Sequence, residues 1–134
     1  MDKLVTGTGW KLSLVDGWTD KRQVEEHLLV PPHGGAVLSI RTTKINRGLT
    51  EKDLRYLARD LIEDGYEPEG VKLGEFEGLA FRYEEDNSYW RQWYVRSGLL
   101  WLQINYDCPE SDQGMHDADI DKILASLAAD ADAI

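Results

Sequence analysis

Cys108 and His116 stand eight residues apart, with Asp107, Glu110 and Asp112 close by in the chain. A thiol, an imidazole and carboxylates are the groups of a metal centre or of a nucleophile–base couple. Zinc sites pair their ligands at tighter spacing than this. A Cys108–His116 couple also lacks a third orienting group and an oxyanion motif in the sequence. Asp117, Asp119 and Asp121 alternate like the start of a calcium loop, but Lys122 takes the place of the required glycine and Ala128 that of the closing Glu. Acids at the start of a helix account for the same residues more simply. Gly7-Thr8-Gly9 is too short for a dinucleotide fingerprint and precedes a strand, so it reads as a flexible leader. His27 and His33 fall in a strand and a proline-rich loop, with no partner in the sequence. This reading assigns no catalytic residue, no metal ligand and no cofactor-binding residue. It expects a protein that is not an enzyme and needs no cofactor.

These residues must be held by elements, and the elements show in the hydrophobic period. Trp10-Lys11-Leu12-Ser13-Leu14 alternates as a strand and ends at the turn pair Asp16-Gly17. Gln23 to Val30 reads as a second strand, and Pro31-Pro32-His33-Gly34-Gly35 as a loop that cannot continue a ladder. Ala36 to Thr43 is a third strand, with Ala36, Leu38 and Ile40 on one face. The period then changes from 2 to 3.6. Thr50 caps a helix over 51–64, whose stripe is Leu54, Leu57, Ala58, Leu61 and Ile62, with Gly65 at its left-handed end. Four strands follow near 70–76, 79–85, 89–96 and 99–106. A last helix near 117–128 carries Ile120, Ile123, Leu124 and Leu127, and the tail from Ala128 is expected to fray. No repeat, low-complexity stretch or linker divides the chain, so residues 1–134 form one domain. The order predicts an α+β fold: a central antiparallel sheet of about six to seven strands flanked by two helices.

The hairpin from Tyr89 to Tyr106 is the most informative segment. A Ser97-Gly98 turn sets Val95 opposite Leu100, Trp93 opposite Leu102 and Tyr94 opposite Trp101. An Asp86-Asn87-Ser88 loop sets Phe81 beside Trp93 and Arg82 beside Gln92. One face then collects Leu79, Phe81, Trp93, Val95, Leu100, Leu102 and Ile104, a core. The other collects Arg82, Trp90, Gln92, Tyr94, Trp101 and Gln103, together with Glu84 and Asn105. Large amphipathic aromatics beside amides and an arginine have the composition of a recognition surface. Those six residues are the predicted binding site. A helix or strand covering the same face, with its polar groups paired among themselves, is the alternative.

Composition limits the partners. The chain has 134 residues, 42% hydrophobic and 10% aromatic, enough for one core without staples. Its net charge of −10 repels phosphate backbones and anionic headgroups, which argues against nucleic acid and membrane surfaces as partners. The single cysteine, Cys108, forms no intramolecular disulfide. The N-terminus Met1-Asp2-Lys3-Leu4-Val5-Thr6-Gly7 has no apolar stretch of signal-peptide length, and Leu99-Leu100-Trp101-Leu102 is far short of a membrane span. A cytoplasmic location and no membrane insertion are expected.

Trp10-x-Leu12-x-Leu14-x-Asp16-Gly17-Trp18, the long helix after strand three, Gly74-x-Phe76-x-Gly78-Leu79-x-Phe81-x-Tyr83, and a last hairpin before a C-terminal helix resemble the PsbP-like fold superfamily. That superfamily includes the extrinsic photosystem subunit P, a Ran-binding import factor, DcrB-like proteins and bacterial type VI secretion accessory proteins. The resemblance runs from about Gly9 to Leu127. It implies an α/β/α sandwich and a non-enzymatic role, and it transfers no binding residue.

The resulting expectation is a cytoplasmic protein-interaction module, in its most concrete form a bacterial secretion accessory, chaperone or immunity-like protein. Its partner is a protein, and a homodimer is compatible with the same surface. The alternative is a small-molecule-binding domain that uses the aromatic and amide face as a pocket.

Overall fold

A computed structural model describes residues 3–130. Alternating and helical segments give, in chain order, β1 (Lys3–Thr6), β2 (Trp10–Leu14), β3 (Thr19–Arg22), β4 (Glu26–Val30) and β5 (Val37–Lys44). Then come α1 (Glu51–Leu57), α2 (Arg59–Glu63), β6 (Glu69–Leu73), β7 (Phe76–Glu85), β8 (Ser88–Ser97) and β9 (Leu100–Pro109). A 3-10 turn (Glu110–Asp112), α3 (Asp117–Ala125) and β10 (Ala128–Ala129) complete the described chain.

Seven strands form one antiparallel sheet in the order β3-β4-β5-β9-β8-β7-β6, and β1-β2-β10 form a smaller one. The α+β class, the central antiparallel sheet and the flanking helices agree with the sequence. The small sheet does not follow from it: β1 and β10 are too short to show a period. The second predicted strand, Gln23 to Val30, is a strand only over β4: Gln23 N donates to the Glu26 carbonyl oxygen and closes a turn that joins it to β3, a strand the sequence did not show. Ala128-Ala129 do not fray but pair with Lys11 and Trp10. Residues 131–134 of the predicted tail lie outside the described residues.

The predicted 51–64 helix is two segments meeting at Ala58. Its start is a capping box: Thr50 Oγ1 accepts from Asp53 N, and Asp53 Oδ2 accepts from Thr50 N. Arg47 reaches both Asp53 oxygens, at 3.0 and 3.1 Å, and this bond holds the carboxyl well below the usual carboxylate range.

The large sheet has two differently covered faces. On its core face, Leu38, Ile40, Trp93, Val95, Leu102, Ile104 and Tyr106 pack under Trp10, Leu12 and Leu14 of β2 and under Ile120, Ile123 and Leu124 of α3. On its helix face, Leu54 and Ala58 bury Leu79, Phe81 and Tyr94, with Leu57, Leu61 and Trp101 packed around them.

Two turns decide which side chain reaches which face. The β8–β9 turn is Gly98-Leu99, so Ser97 pairs with Leu100 and Val95 with Leu102. That pairing is offset by an even number from the one a Ser97-Gly98 turn predicts, so every side chain keeps its face. The β7–β8 turn is Asp86-Asn87 alone, both in the left-handed region at φ 56° and 62°. This is the backbone of a type I′ hairpin, which Asp and Asn tolerate. Ser88 therefore joins the ladder opposite Glu85, Phe81 faces Gln92, and Arg82 faces Arg91. The offset from the predicted three-residue loop is odd, and it turns β7 over. Leu79 and Phe81 move from the predicted core face to the helix face, and Arg82 moves the other way.

Candidate functional site

The helix face carries cross-strand rows that the ladder registers define. One row runs Leu28, Ser39, Asn105, Gln92, Phe81 across β4, β5, β9, β8 and β7. A second runs Glu26, Arg41, Gln103, Tyr94, Leu79. A third runs Val37, Asp107, Trp90, Tyr83. Helices α1 and α2 cover the β7–β8 end of these rows. Toward β4 the side chains Leu28, Val37, Ser39, Trp90, Gln92, Gln103, Asn105 and Asp107 are half-buried.

Of the six predicted site residues, Trp90, Gln92 and Gln103 lie together on this open part. Tyr94 is on the same face but only 7% exposed, under the helix, in T-shaped contact with Phe81. Trp101 packs at the edge of the same cluster. Arg82 is on the opposite face and does not belong to the surface, because of the odd offset at Asp86-Asn87. The covering-helix alternative thus holds for Tyr94 and Trp101 and fails for the other three. Asn105 is on the face where the sequence puts it, although outside the six site residues, and Leu28, Ser39 and Asp107 were missed. The period of β5 places Ser39 opposite Leu38 and Ile40, but nothing local says that β5 lies beside β9.

Tyr66, Tyr83 and Trp90 stack in series, with centroids 4.6 and 6.2 Å apart, and join the helical end of the face to its open part. Burial pushes the Tyr83 phenol up to about 12, helped by the nearby Glu85 charge. Burial also raises Tyr94, against a hydrogen bond with Gln103 that lowers it, and raises the Asp107 carboxyl. Asn105 Oδ1 and Trp101 Nε1 are buried without a hydrogen-bond partner among the described residues. An unmet acceptor under a half-buried polar row is unusual in a finished surface.

The remaining chemistry-bearing residues are structural in their contacts. Arg91, 5% exposed, donates to Asp121 Oδ1 at 2.9 Å and Asp117 Oδ1 at 3.4 Å, and lies over the Trp93 ring at 4.8 Å. Asp119 accepts from Trp18 Nε1 at 3.1 Å. The alternating acids therefore fasten α3 to the sheet. Cys108 is buried, and burial raises its thiol. His116 is buried against Trp18, ring edge to face. His27 does have partners, Asp20 at 3.1 Å and Arg22 at 3.2 Å. His33 is exposed. Gly7-Thr8-Gly9 is no loose leader: Gly7 is buried, and a Cβ there would overlap the Trp10 ring. No group of three or more His, Cys, Asp or Glu among the described residues is arranged to hold a metal, and no described helix is long and apolar enough to cross a membrane.

No family model and no curated protein matches the sequence. Solved structures do match its fold. A Bacteroides thetaiotaomicron protein superposes with a TM-score of 0.67 at 16% identity, over 91% of this chain and 45% of its own. This chain therefore spans less than half the length of that protein. LpqN of Mycobacterium tuberculosis, whose structure is described as that of a protein involved in cell envelope biogenesis, superposes with a TM-score of 0.61 at 16% identity, over 96% and 90% of the two chains. The PsbP of the cyanobacterium Synechocystis gives 0.48 at 12%, over 97% and 92%. At these identities the likeness is one of fold. The chain has the α+β fold with a central antiparallel sheet that its sequence predicts, a fold it shares with the Bacteroides protein and LpqN.

Proposed function

We propose that this chain is a non-enzymatic interaction module that receives an amphipathic helix of a partner protein on the open half of its helix face. The observation that carries the reading is the half-buried row Leu28, Ser39, Asn105, Gln92, within which Asn105 Oδ1 is an unmet buried acceptor. Geometry selects the occupant. Seven strands span about 29 Å, and one helix of about 10 Å covers roughly two of them. A second helix laid beside α1 and α2 completes the layer, covers Trp90 and Val37, and donates a hydrogen bond to Asn105. The row runs across four neighbouring strands, a breadth that favours a protein over a small molecule here. The buried Cys108 thiol and the bonded acids of α3 favour a non-enzymatic role. LpqN is involved in cell envelope biogenesis. An accessory role in a bacterial envelope or secretion assembly is the form we adopt.

A photo-crosslinker placed at Gln92, with Glu63 on the outer side of α2 as control, tests this in the source cell. The expected product joins Gln92 to an amphipathic helical segment, and Trp90→Ala weakens the purified pair by about 2 kcal/mol, the scale of a hot spot. Crosslinks that favour Glu63, or an affinity indifferent to Trp90→Ala, remove the reading. A crosslink between two copies of this chain would replace it with a homodimer.

A further inference from the structure

On the core face the small sheet stops at Trp10, and beyond it a cleft of about 710 Å³ opens. Ile40 and His27 line its floor. Its sides are the β3–β4 turn and the last residues of β5, Thr42 to Lys44, which run past the start of β4 at Glu26. The volume is that of a small-ligand site.

One cation in this cleft is fixed in place without being neutralised. Arg22 Nε and Nη2 both reach His27 Nε2 at 3.2 Å, and Nη2 donates to the Thr6 carbonyl oxygen at 2.6 Å. A ring nitrogen that accepts from guanidinium carries no proton. His27 therefore holds its proton on Nδ1, where it donates to Asp20 Oδ1 at 3.1 Å. Both acceptors of Arg22 are uncharged, and its Nη1 has no partner among the described residues. Lys44 likewise has none. Thr42 Oγ1 accepts from Trp10 Nε1 at 2.8 Å, which leaves its own proton free to be donated. Two cations without an acidic partner, Arg22 and Lys44, stand out in a chain of net charge −10.

We propose that the cleft binds a small phosphorylated molecule, its phosphate held by Arg22 Nη1, Lys44 Nζ and the Thr42 hydroxyl. The Nε–Nη2 edge of Arg22 is taken by His27 and Thr6, so the two-pronged grip that arginine gives carboxylate and phosphate alike is not on offer. What remains is single donors from separate elements, which suits a tetrahedral anion. Glu25 lines the turn side of the cleft. It directs the phosphate toward Lys44 and the uncharged body of the ligand toward the turn. This site lies on the opposite face from the docking surface, and the two readings fail independently.

The test titrates the full chain with inorganic phosphate at constant ionic strength, with acetate in a parallel arm, and follows the amides of Thr42 to Lys44 and Arg22 Nε by NMR. Saturable shifts with phosphate and none with acetate are expected. Lys44→Gln should weaken phosphate about tenfold, the scale of one charge-assisted hydrogen bond. Arg59→Gln, which removes the same charge from α2, should leave it unchanged. Absence of saturation, an equal response to acetate, an unaffected Lys44→Gln, or an equal loss in Arg59→Gln overturns the proposal.

Discussion

Trp90 and Asp107 are direct cross-strand partners on β8 and β9, with Val37 on the far side of Asp107. Burial in this row raises the Asp107 carboxyl above its ordinary range. The folded state therefore keeps this proton to higher pH than the unfolded chain does. Stability falls as pH climbs from the unfolded pKa, about 3.9, through the raised native value. Asp107→Asn removes that loss. The variant is expected to unfold at a higher midpoint than the parent at pH 7 and at nearly the same midpoint at about pH 3. Thermal melts across this range read the difference, and a less stable variant at pH 7 would show that the charge contributes rather than subtracts.

Leu54 is 1% exposed beneath α1, whereas Leu57 is only partly buried. Leu54→Ala should cost about 2–5 kcal/mol, the range for emptied core positions, and Leu57→Ala less than that. Urea unfolding of both variants ranks them. Equal losses would mean that the break at Ala58 does not set how deeply each leucine sits.

Gly74 has φ +61°, and a Cβ there would overlap the Leu127 carbonyl oxygen, which accepts from Glu75 N at 2.9 Å. This close approach seats the chain between α3 and β10. Gly74→Ala is expected to lose at least about 2 kcal/mol, with backbone strain and displacement acting together. Gly65, at φ +96° with open space around it, bears only the strain. Gly65→Ala should therefore be the milder of the two in the same denaturation assay.

Cys108 is 1% exposed, and burial raises its thiol before any neighbour acts on it. Reaction with an aromatic disulfide at neutral pH should be slow in the folded protein and should accelerate in parallel with unfolding as denaturant is added. A fast native reaction would mean an accessible thiolate, and would return a Cys108 nucleophile to consideration.

The parts of this fold that sequence alone determined are those with a local physical cause. Thr50 and Asp53 are three apart and cap each other, so the start of α1 is legible. The spacing of Leu54, Leu57, Ala58 and Leu61 specifies a buried stripe whatever it packs against. Strict alternation in β2, β5, β8 and β9 sorts Leu38, Trp93, Leu102 and Ile104 onto one face. It survives the misplacement of the turn at Ser97-Gly98 rather than Gly98-Leu99 because an even offset changes no face.

Tertiary structure decided the rest, because the deciding quantities are not local. Whether Asp86-Asn87 or Asp86-Asn87-Ser88 turns the hairpin is a difference of one residue in backbone geometry, and it alone carries Arg82 away from Trp90 and brings Phe81 beneath α1. The open row needs Ser39 beside Asn105, residues 66 apart in sequence. Arg22 meets His27 and Thr6 only once β3 and β4 have folded back and the small sheet has docked. Composition can assign such residues to a surface, but only the packing of distant segments determines which of them remain uncovered.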